Sequence, residues 1–350
     1  MRIAVIGAGA MGSIYGGHLS QHNEVILVDT NQQVVEQINK NGLLVDENGT
    51  SVSYQPKALC DTSEEKPVDL VILFVKALFS RAALENNSAL IGPDTRLMTL
   101  QNGAGHEDLL KEFVSEDRVI IGTTEDNGAV LGLGHVRRGG TGVTNVGMLT
   151  EDRDGFLTRL KENFDSCGFE VRIHENIQYL IWDKLFTNVS LSALTGVLQV
   201  DMGYIAADEF AWKLCCQLIH ETILTAAAAG LEFDEEAVRE KVRKTSLNNP
   251  QGCTSIRADL RDGRRTEVDT ISGSVVRAAA KYGVDVPGHT FVVKSGSCNG
   301  RQKVIWGCVY SQGGRQLHLQ LPAPLDSELK EMNLLDEQEA VHAIKKIVVY

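Results

Sequence analysis

The opening residues, MRIAVIGAGAMG, constrain this chain more than any other segment. An apolar run from Ile3 to Ile6 leads into Gly7, Gly9 and Gly12, and helix-forming residues follow. A strand, a glycine turn and a helix N-terminus in that order form a phosphate cradle. The first glycine permits the tight turn, the second lets backbone amides approach a ligand, and the third lets helix and strand pack closely. The helix N-terminus adds partial positive charge. Gly7, Ala8, Gly9, Ala10, Met11 and Gly12 are therefore expected to hold the pyrophosphate of a dinucleotide. Glycine-rich turns are common, so the context matters. A second apolar run, Glu24 to Val28, ends at Asp29, at the distance of about 20 residues that such a cradle requires.

Asp29 bears on which dinucleotide. A carboxylate at the end of the second strand can accept hydrogen bonds from ribose hydroxyls and repels a 2′-phosphate. The residues that follow are Thr30, Asn31 and Gln32, with no arginine among them. NAD(H) is accordingly favoured over NADP(H). The competing explanation is a solvated aspartate with no ligand role.

The pattern downstream sets the fold class. Strand-like runs at 2–6, 24–28, 70–75, 96–100 and 119–123 alternate with helical patterns, and residues 43–46 and 52–56 read as a small hairpin. That alternation predicts an α/β, Rossmann-type doubly wound parallel sheet. Residues 128–148 read as an antiparallel excursion at the sheet edge, and Phe169 to Ile173 as a last strand. From Asn176 the pattern turns helical, with segments expected at 176–198, 205–230, 234–246, 254–262 and 266–282. The chain thus divides into a dinucleotide-binding domain (1–174), an all-helical domain (175–295) and an extension of no recognisable period (296–350) containing a short amphipathic helix at 335–347. Ligand chemistry belongs in the cleft between the two domains.

Composition excludes several partners. A net charge of −12 opposes binding to nucleic acid or an anionic membrane, and no apolar run approaches the roughly 20 residues that cross a bilayer. Seven cysteines without CxxC or Cys/His metal spacing point to reduced thiols in the cytoplasm and to no metal. The partner expected is a small molecule, and a homodimer is left open.

Two strings carry the candidate chemistry. Lys184, Asn188 and Ser192 recur at i, i+4 and i+8 of an otherwise apolar helical segment, so they form one polar stripe. Such a stripe is either a solvated face with a snorkelling lysine or a lysine aimed at the cleft. The second string runs from Ser255 to Glu267. Thr266 before Glu267 fits a helix N-cap with acidic residues in the first turn, which capping alone explains. Taken together, the strings suit reduction of a 2-oxo acid. Lys184 can donate the proton and stabilise the developing alkoxide. Glu267 can keep that ammonium charged, and Asn188, Ser192 and Ser255 can hold substrate oxygens. His106 and His135 are expected to be solvated loop residues.

At this point the sequence resembles the ketopantoate reductase (2-dehydropantoate 2-reductase) family over about residues 1–290. The resemblance rests on GAGAMGSIYGGHL, Val75-Lys76-Ala77, Leu100-Gln101-Asn102-Gly103, Gly122-Thr123-Thr124, Trp182-Asp183-Lys184-Leu185 with Asn188, and Ser255 followed twelve residues on by Glu267. It implies a nicotinamide-dependent reductase converting ketopantoate to D-pantoate. Lys184 is then the general acid and Glu267 its acidic partner. Asn102, Asn188 and Ser255 fall at substrate or nicotinamide contacts, and Lys76, Asn102 and Glu267 on the cofactor side. Three departures stand out. Ser192 replaces a family asparagine, Asp29 stands where NADPH-using members carry arginine, and the chain runs about sixty residues past the usual end. The first two also suit the related NAD-dependent D-2-hydroxyacid dehydrogenases, because a shorter residue at Ser192 leaves room for a branched or aromatic substrate. A nucleotide-sensing protein without turnover would be marked by loss of Lys184 or Glu267, and both are present.

Overall fold

The structure, a computed structural model, describes residues 1–299, with side chains through residue 295. The extension expected after the helical domain, including the helix at 335–347, falls outside the described residues from 300 onward. Twelve strands are described, namely β1 (Arg2–Ile6), β2 (Glu24–Val28), β3 (Leu43–Glu47), β4 (Thr50–Tyr54), β5 (Lys57–Leu59), β6 (Leu70–Leu73), β7 (Arg96–Thr99), β8 (Val119–Thr124), β9 (Asn127–Gly132), β10 (His135–Gly140), β11 (Val143–Met148) and β12 (Glu170–Ile173).

Eight strands build the main sheet in the order β12-β11-β8-β7-β6-β1-β2-β5. The six from β8 to β5 run parallel, and β11 turns back antiparallel to β8 with β12 parallel to it. The central strands are short, continuous apolar runs such as RIAVI and LVIL because both of their faces are covered. Alternate residues feed two different cores. Ile3 and Val5 pack with Tyr15 and Phe164 on one face. Ala4 and Ile6 share the other core with Trp182, Ile271 and Val275 from the helical part. Burying each such aliphatic side chain contributes about 1.5–3 kcal/mol, so the helical part is held to the sheet by a common core.

The excursion at 128–148 is only partly an edge feature. Strands β9 and β10 leave the main sheet, and β10 pairs parallel with β3, giving a second sheet in the order β4-β3-β10-β9. Only β11 rejoins the first sheet.

Two long helical segments are also interrupted. The expected helix at 205–230 is two helices, Met202–Ala207 and Glu209–Ala228. Asp208 sits between them in extended conformation and caps the second through Phe210 N and Ala211 N, at 3.0 and 2.9 Å. The expected helix at 176–198 runs as Ile177–Thr187, a π-helical turn at Asn188–Ser192, and Ala193–Leu198. Helices Glu235–Asn248, Ser255–Arg261, Val268–Tyr282 and Pro287–Asn299 complete this part. No helix among the described residues is long and apolar enough to cross a membrane.

One backbone contact fixes the loop after β7 against the helical part. Gly103 has φ +103°, and a Cβ there would lie 2.3 Å from the Thr270 carbonyl oxygen. Gly103→Ala therefore meets both a disfavoured backbone region and a backbone clash, and is expected to cost about 2 kcal/mol or more. Thermal unfolding checks this; an unchanged Tm would show that the loop does not depend on this approach.

Candidate active site

In a parallel sheet, ligands bind beyond the C-terminal strand ends, where the strand order reverses. Here β1 is flanked by β2 on one side and β6 on the other. A cavity of about 640 Å³ opens at that edge. Its sheet-side wall comes from the segments that follow β1 (Met11), β6 (Val75, Lys76), β7 (Gln101, Asn102) and β8 (Glu125). Its opposite wall comes from Asp183, Lys184, Thr187 and Asn188, with Lys241 and Glu267.

The glycine loop matches the requirements of a dinucleotide. Gly7 has φ +107°, and a Cβ there would lie 2.7 Å from Val75 N; a Cβ on Gly12 would lie 1.8 Å from Gly7 O. Those two glycines are forced by the turn and by packing. Gly9 differs, since a Cβ there meets nothing within 4 Å. It borders open space at the start of helix Ala10–Leu19, whose N-cap has no side-chain partner. That is the place a pyrophosphate would occupy, so the residues present fit the group. Asp29 accepts from Ala8 N at 2.8 Å and from Asn31 N at 2.9 Å. It therefore ties the phosphate loop to the end of β2 rather than standing free in solvent.

Lys184 lies on the cavity wall, half-buried, and its ammonium donates to the Thr124 carbonyl oxygen at 2.8 Å. It does not snorkel to the surface. Among the described residues no carboxylate oxygen approaches it within 4.0 Å. Burial pushes its pKa below the ordinary lysine value, while Glu125 and then Glu267 pull it back upward without cancelling the shift.

Glu267 occupies the N-cap position of helix Val268–Tyr282, yet its side chain makes no capping bond. The expected cap at Thr266 is weak, since Val268 N reaches its hydroxyl only at 3.5 Å. The Glu267 carboxylate instead faces the cavity and accepts from Asn102 Nδ2 at 3.3 Å. It acts on Lys184 through space, and the direct orienting contact comes from the Thr124 carbonyl.

The structure brings Lys184, Asn188, Asn102, Glu267, Lys76 and Met11 together around the cavity. Lys76 also crosses the cleft, donating to Asp259 Oδ2 at 3.2 Å and to the Arg265 carbonyl. Ser192 and Ser255 are not on this wall. Ser192 closes the π-helical turn, which breaks the i, i+4, i+8 register, and it is buried. Ser255 is exposed at the start of its helix.

Sequence reasoning missed Glu125, Asp126 and Lys241; the position of the first two, just past the end of a parallel strand, was the available signal. The expectation of solvated histidines fails. His106 is half-buried with Nε2 2.9 Å from the Asn102 carbonyl, and burial lowers its pKa. His135 sits on β10 with Nε2 2.9 Å from Asp46 Oδ2.

A glycine loop suited to a pyrophosphate and an ammonium on the wall of one cavity are the features of an oxidoreductase site. Comparison with known proteins narrows the class. Residues 3–151 match the family model described as ketopantoate reductase PanE/ApbA, and residues 176–295 match the model described as its C terminal. The chain belongs to the ketopantoate reductase family. It is 31% identical over 288 residues to the 2-dehydropantoate 2-reductase of Pyrococcus horikoshii, covering 82% of this chain and 93% of that one. It is 28% identical over 289 residues to the enzyme of that name from Streptococcus pyogenes, with 82% and 94% covered. Among solved structures it is similar to a ternary complex of D-mandelate dehydrogenase with NADH and anilino(oxo)acetate, with TM-score 0.79, 30% identity, and 86% and 98% covered. The putative 2-dehydropantoate 2-reductase from Enterococcus faecalis is similar at TM-score 0.73 and 29% identity, with the same coverage.

Three outcomes are expected if Lys184 is the proton donor. Lys184→Ala lowers kcat by at least about 10²-fold, the scale of lost general acid catalysis; near-wild-type turnover would remove the lysine from the mechanism. In a pH profile of reduction, activity depends on the protonated lysine, so it is present at low pH and falls as pH rises through the lowered Lys184 pKa. Glu267→Gln removes an anion that favours the charged form and moves that alkaline limb to lower pH. Because Glu267 makes no capping bond, Tm changes by less than about 2 °C. A collapse of Tm with an unmoved limb would return Glu267 to a purely structural role.

Proposed function

We propose that the protein reduces the ketone of a 2-oxo acid to a D-2-hydroxy acid, with ketopantoate as substrate and D-pantoate as product, in the cytoplasm. The observation that carries this reading is the Lys184 ammonium held on the cavity wall by the Thr124 carbonyl at 2.8 Å. An ammonium has three donors. One is committed to Thr124, leaving two for a substrate oxygen.

In this reading a bound nicotinamide supplies the hydride, and the glycine loop, Lys76 and Asn102 hold it. Lys184 donates the proton to the ketone oxygen and stabilises negative charge as it develops. Asn188, on the same wall, and Asn102 orient substrate oxygens. Glu267 keeps Asn102 turned toward the cavity and favours the charged lysine. The free thiols of Cys60, Cys167, Cys215, Cys216 and Cys253 are in keeping with a reducing compartment.

NADH is proposed over NADPH. The support is Asp29, an anion fixed at the end of β2 beside the phosphate loop, with no arginine near it in sequence. Asp29→Arg is expected to shift the NADH/NADPH preference by at least about tenfold toward NADPH, the effect of exchanging a like charge for an opposite one beside a phosphate. An unchanged ratio would remove Asp29 from cofactor selection.

The second reading is a D-2-hydroxyacid dehydrogenase for branched or aromatic 2-oxo acids. Similarity to D-mandelate dehydrogenase and apolar residues on the cavity wall (Phe74, Leu100 and Leu180) favour it. Steady-state kinetics with ketopantoate, 2-ketoisovalerate and phenylpyruvate, each with NADH and NADPH, separate the two. Highest kcat/KM for ketopantoate supports the first reading; phenylpyruvate exceeding it would replace that reading with the second.

A further inference from the structure

From Asp126, on the cavity wall, a buried charge cluster that the reaction as described does not use runs back into the protein. The Asp126 side chain is fully buried and the Arg138 side chain is 3% exposed. Arg138 Nε and Nη2 both lie 2.8 Å from Asp126 Oδ1. The same guanidinium reaches Glu47 Oε2 at 3.4 Å and the Gly168 carbonyl at 3.5 Å, and it lies 4.9 Å over the Phe169 ring. Glu47 in turn stands 3.2 Å from His18 Nε2. Arg138, on β10, is thus clamped by the second sheet and by the turn before β12.

Asp126 passes this anchorage to the end of β8. Its backbone N–H donates to Thr124 Oγ1 at 3.0 Å, and Thr124 Oγ1 lies 3.4 Å from Asp126 Oδ2. The Thr124 hydroxyl also accepts from Tyr15 OH at 2.9 Å. These contacts fix the peptide whose carbonyl receives the Lys184 ammonium.

A buried ion pair is costly, and hydrophobic residues of similar shape would hold two sheets together as well or better. Among the described residues Lys184 has no carboxylate within 4.0 Å to orient it, so its placement depends on how rigidly the Thr124 carbonyl is held. We propose that Arg138 is a positioning residue for the catalytic lysine, acting through Asp126 and the Thr124 peptide without touching substrate or cofactor. This rests on Lys184 being the proton donor in 2-oxo acid reduction. Geometry and charge both matter here. A lysine at 138 keeps the charge pairing but loses the two-pronged grip on Asp126.

The test is to measure wild type, Arg138→Met, Arg138→Lys and Asp126→Asn with ketopantoate and NADH, recording Tm, NADH Kd, kcat and KM. For Arg138→Met, kcat is expected to fall at least tenfold while KM and NADH Kd stay within threefold, because neither ligand contacts Arg138. Arg138→Lys recovers a substantial part of the lost kcat. A folded Arg138→Met enzyme with kcat within twofold of wild type overturns the proposal. So does a loss carried wholly by Tm and NADH Kd. If Arg138→Met does not fold, Asp126→Asn decides: kcat at least tenfold lower supports the relay, and unchanged kcat overturns it. A wild-type enzyme inactive on every 2-oxo acid overturns the underlying reading instead, so the two failures are distinguishable.

Discussion

The site depends on a lysine ammonium held by a backbone carbonyl rather than by a carboxylate. Lys184 donates to Thr124 O at 2.8 Å in a place where burial disfavours its charge. A directly paired carboxylate would stabilise the ammonium more strongly and raise its pKa, making it a poorer acid near neutral pH. A neutral carbonyl fixes position at a smaller electrostatic cost. The two carboxylates that act on it, Glu125 and Glu267, do so from beyond ion-pair distance. Orientation and charge are thereby supplied by different groups.

The rest of the fold follows from the need to bring that lysine opposite a phosphate loop. Lys184 lies on helix Ile177–Thr187, while Thr124 and the glycine loop lie at the C-terminal ends of β8 and β1. The shared core of Ala4, Ile6, Trp182, Ile271 and Val275 locks helix to sheet. The close approach of Gly103 to the Thr270 carbonyl and the reach of Lys76 to Asp259 add contacts across the cleft. The π-helical turn at Asn188–Ser192 follows immediately after the lysine's helix and ends the polar stripe, so Asn188 stays on the cavity wall and Ser192 turns into the core.

Much of this was legible because the signals are local. Apolar runs bounded by glycines and charges give the parallel strands, and Gly7, Gly9 and Gly12 give the phosphate loop. Lys184, Asn188, Asn102 and Glu267 were singled out from two strings and a resemblance, and the cavity unites them. What was not legible is non-local or carried by the backbone. The pairing of β10 with β3 joins segments about ninety residues apart in sequence, as at Val136 with Val45. The π-helical turn has no distinct residue signature in NVSLS. The carbonyl of Thr124 is invisible to any reading of side chains. Asp126 and Arg138 lie in no motif, and only the fold buries them against each other.

The most direct test of the account is a structure of the ternary complex with NADH and a non-reducible 2-oxo acid analogue. The account predicts that Lys184 Nζ keeps its bond to the Thr124 carbonyl and also lies within about 2.6–3.2 Å of the oxygen at the substrate C2 position, with Asn188 and Asn102 on the same ligand. A Lys184 nitrogen well beyond hydrogen-bond reach of that oxygen, with another group in its place, would contradict the account at its centre.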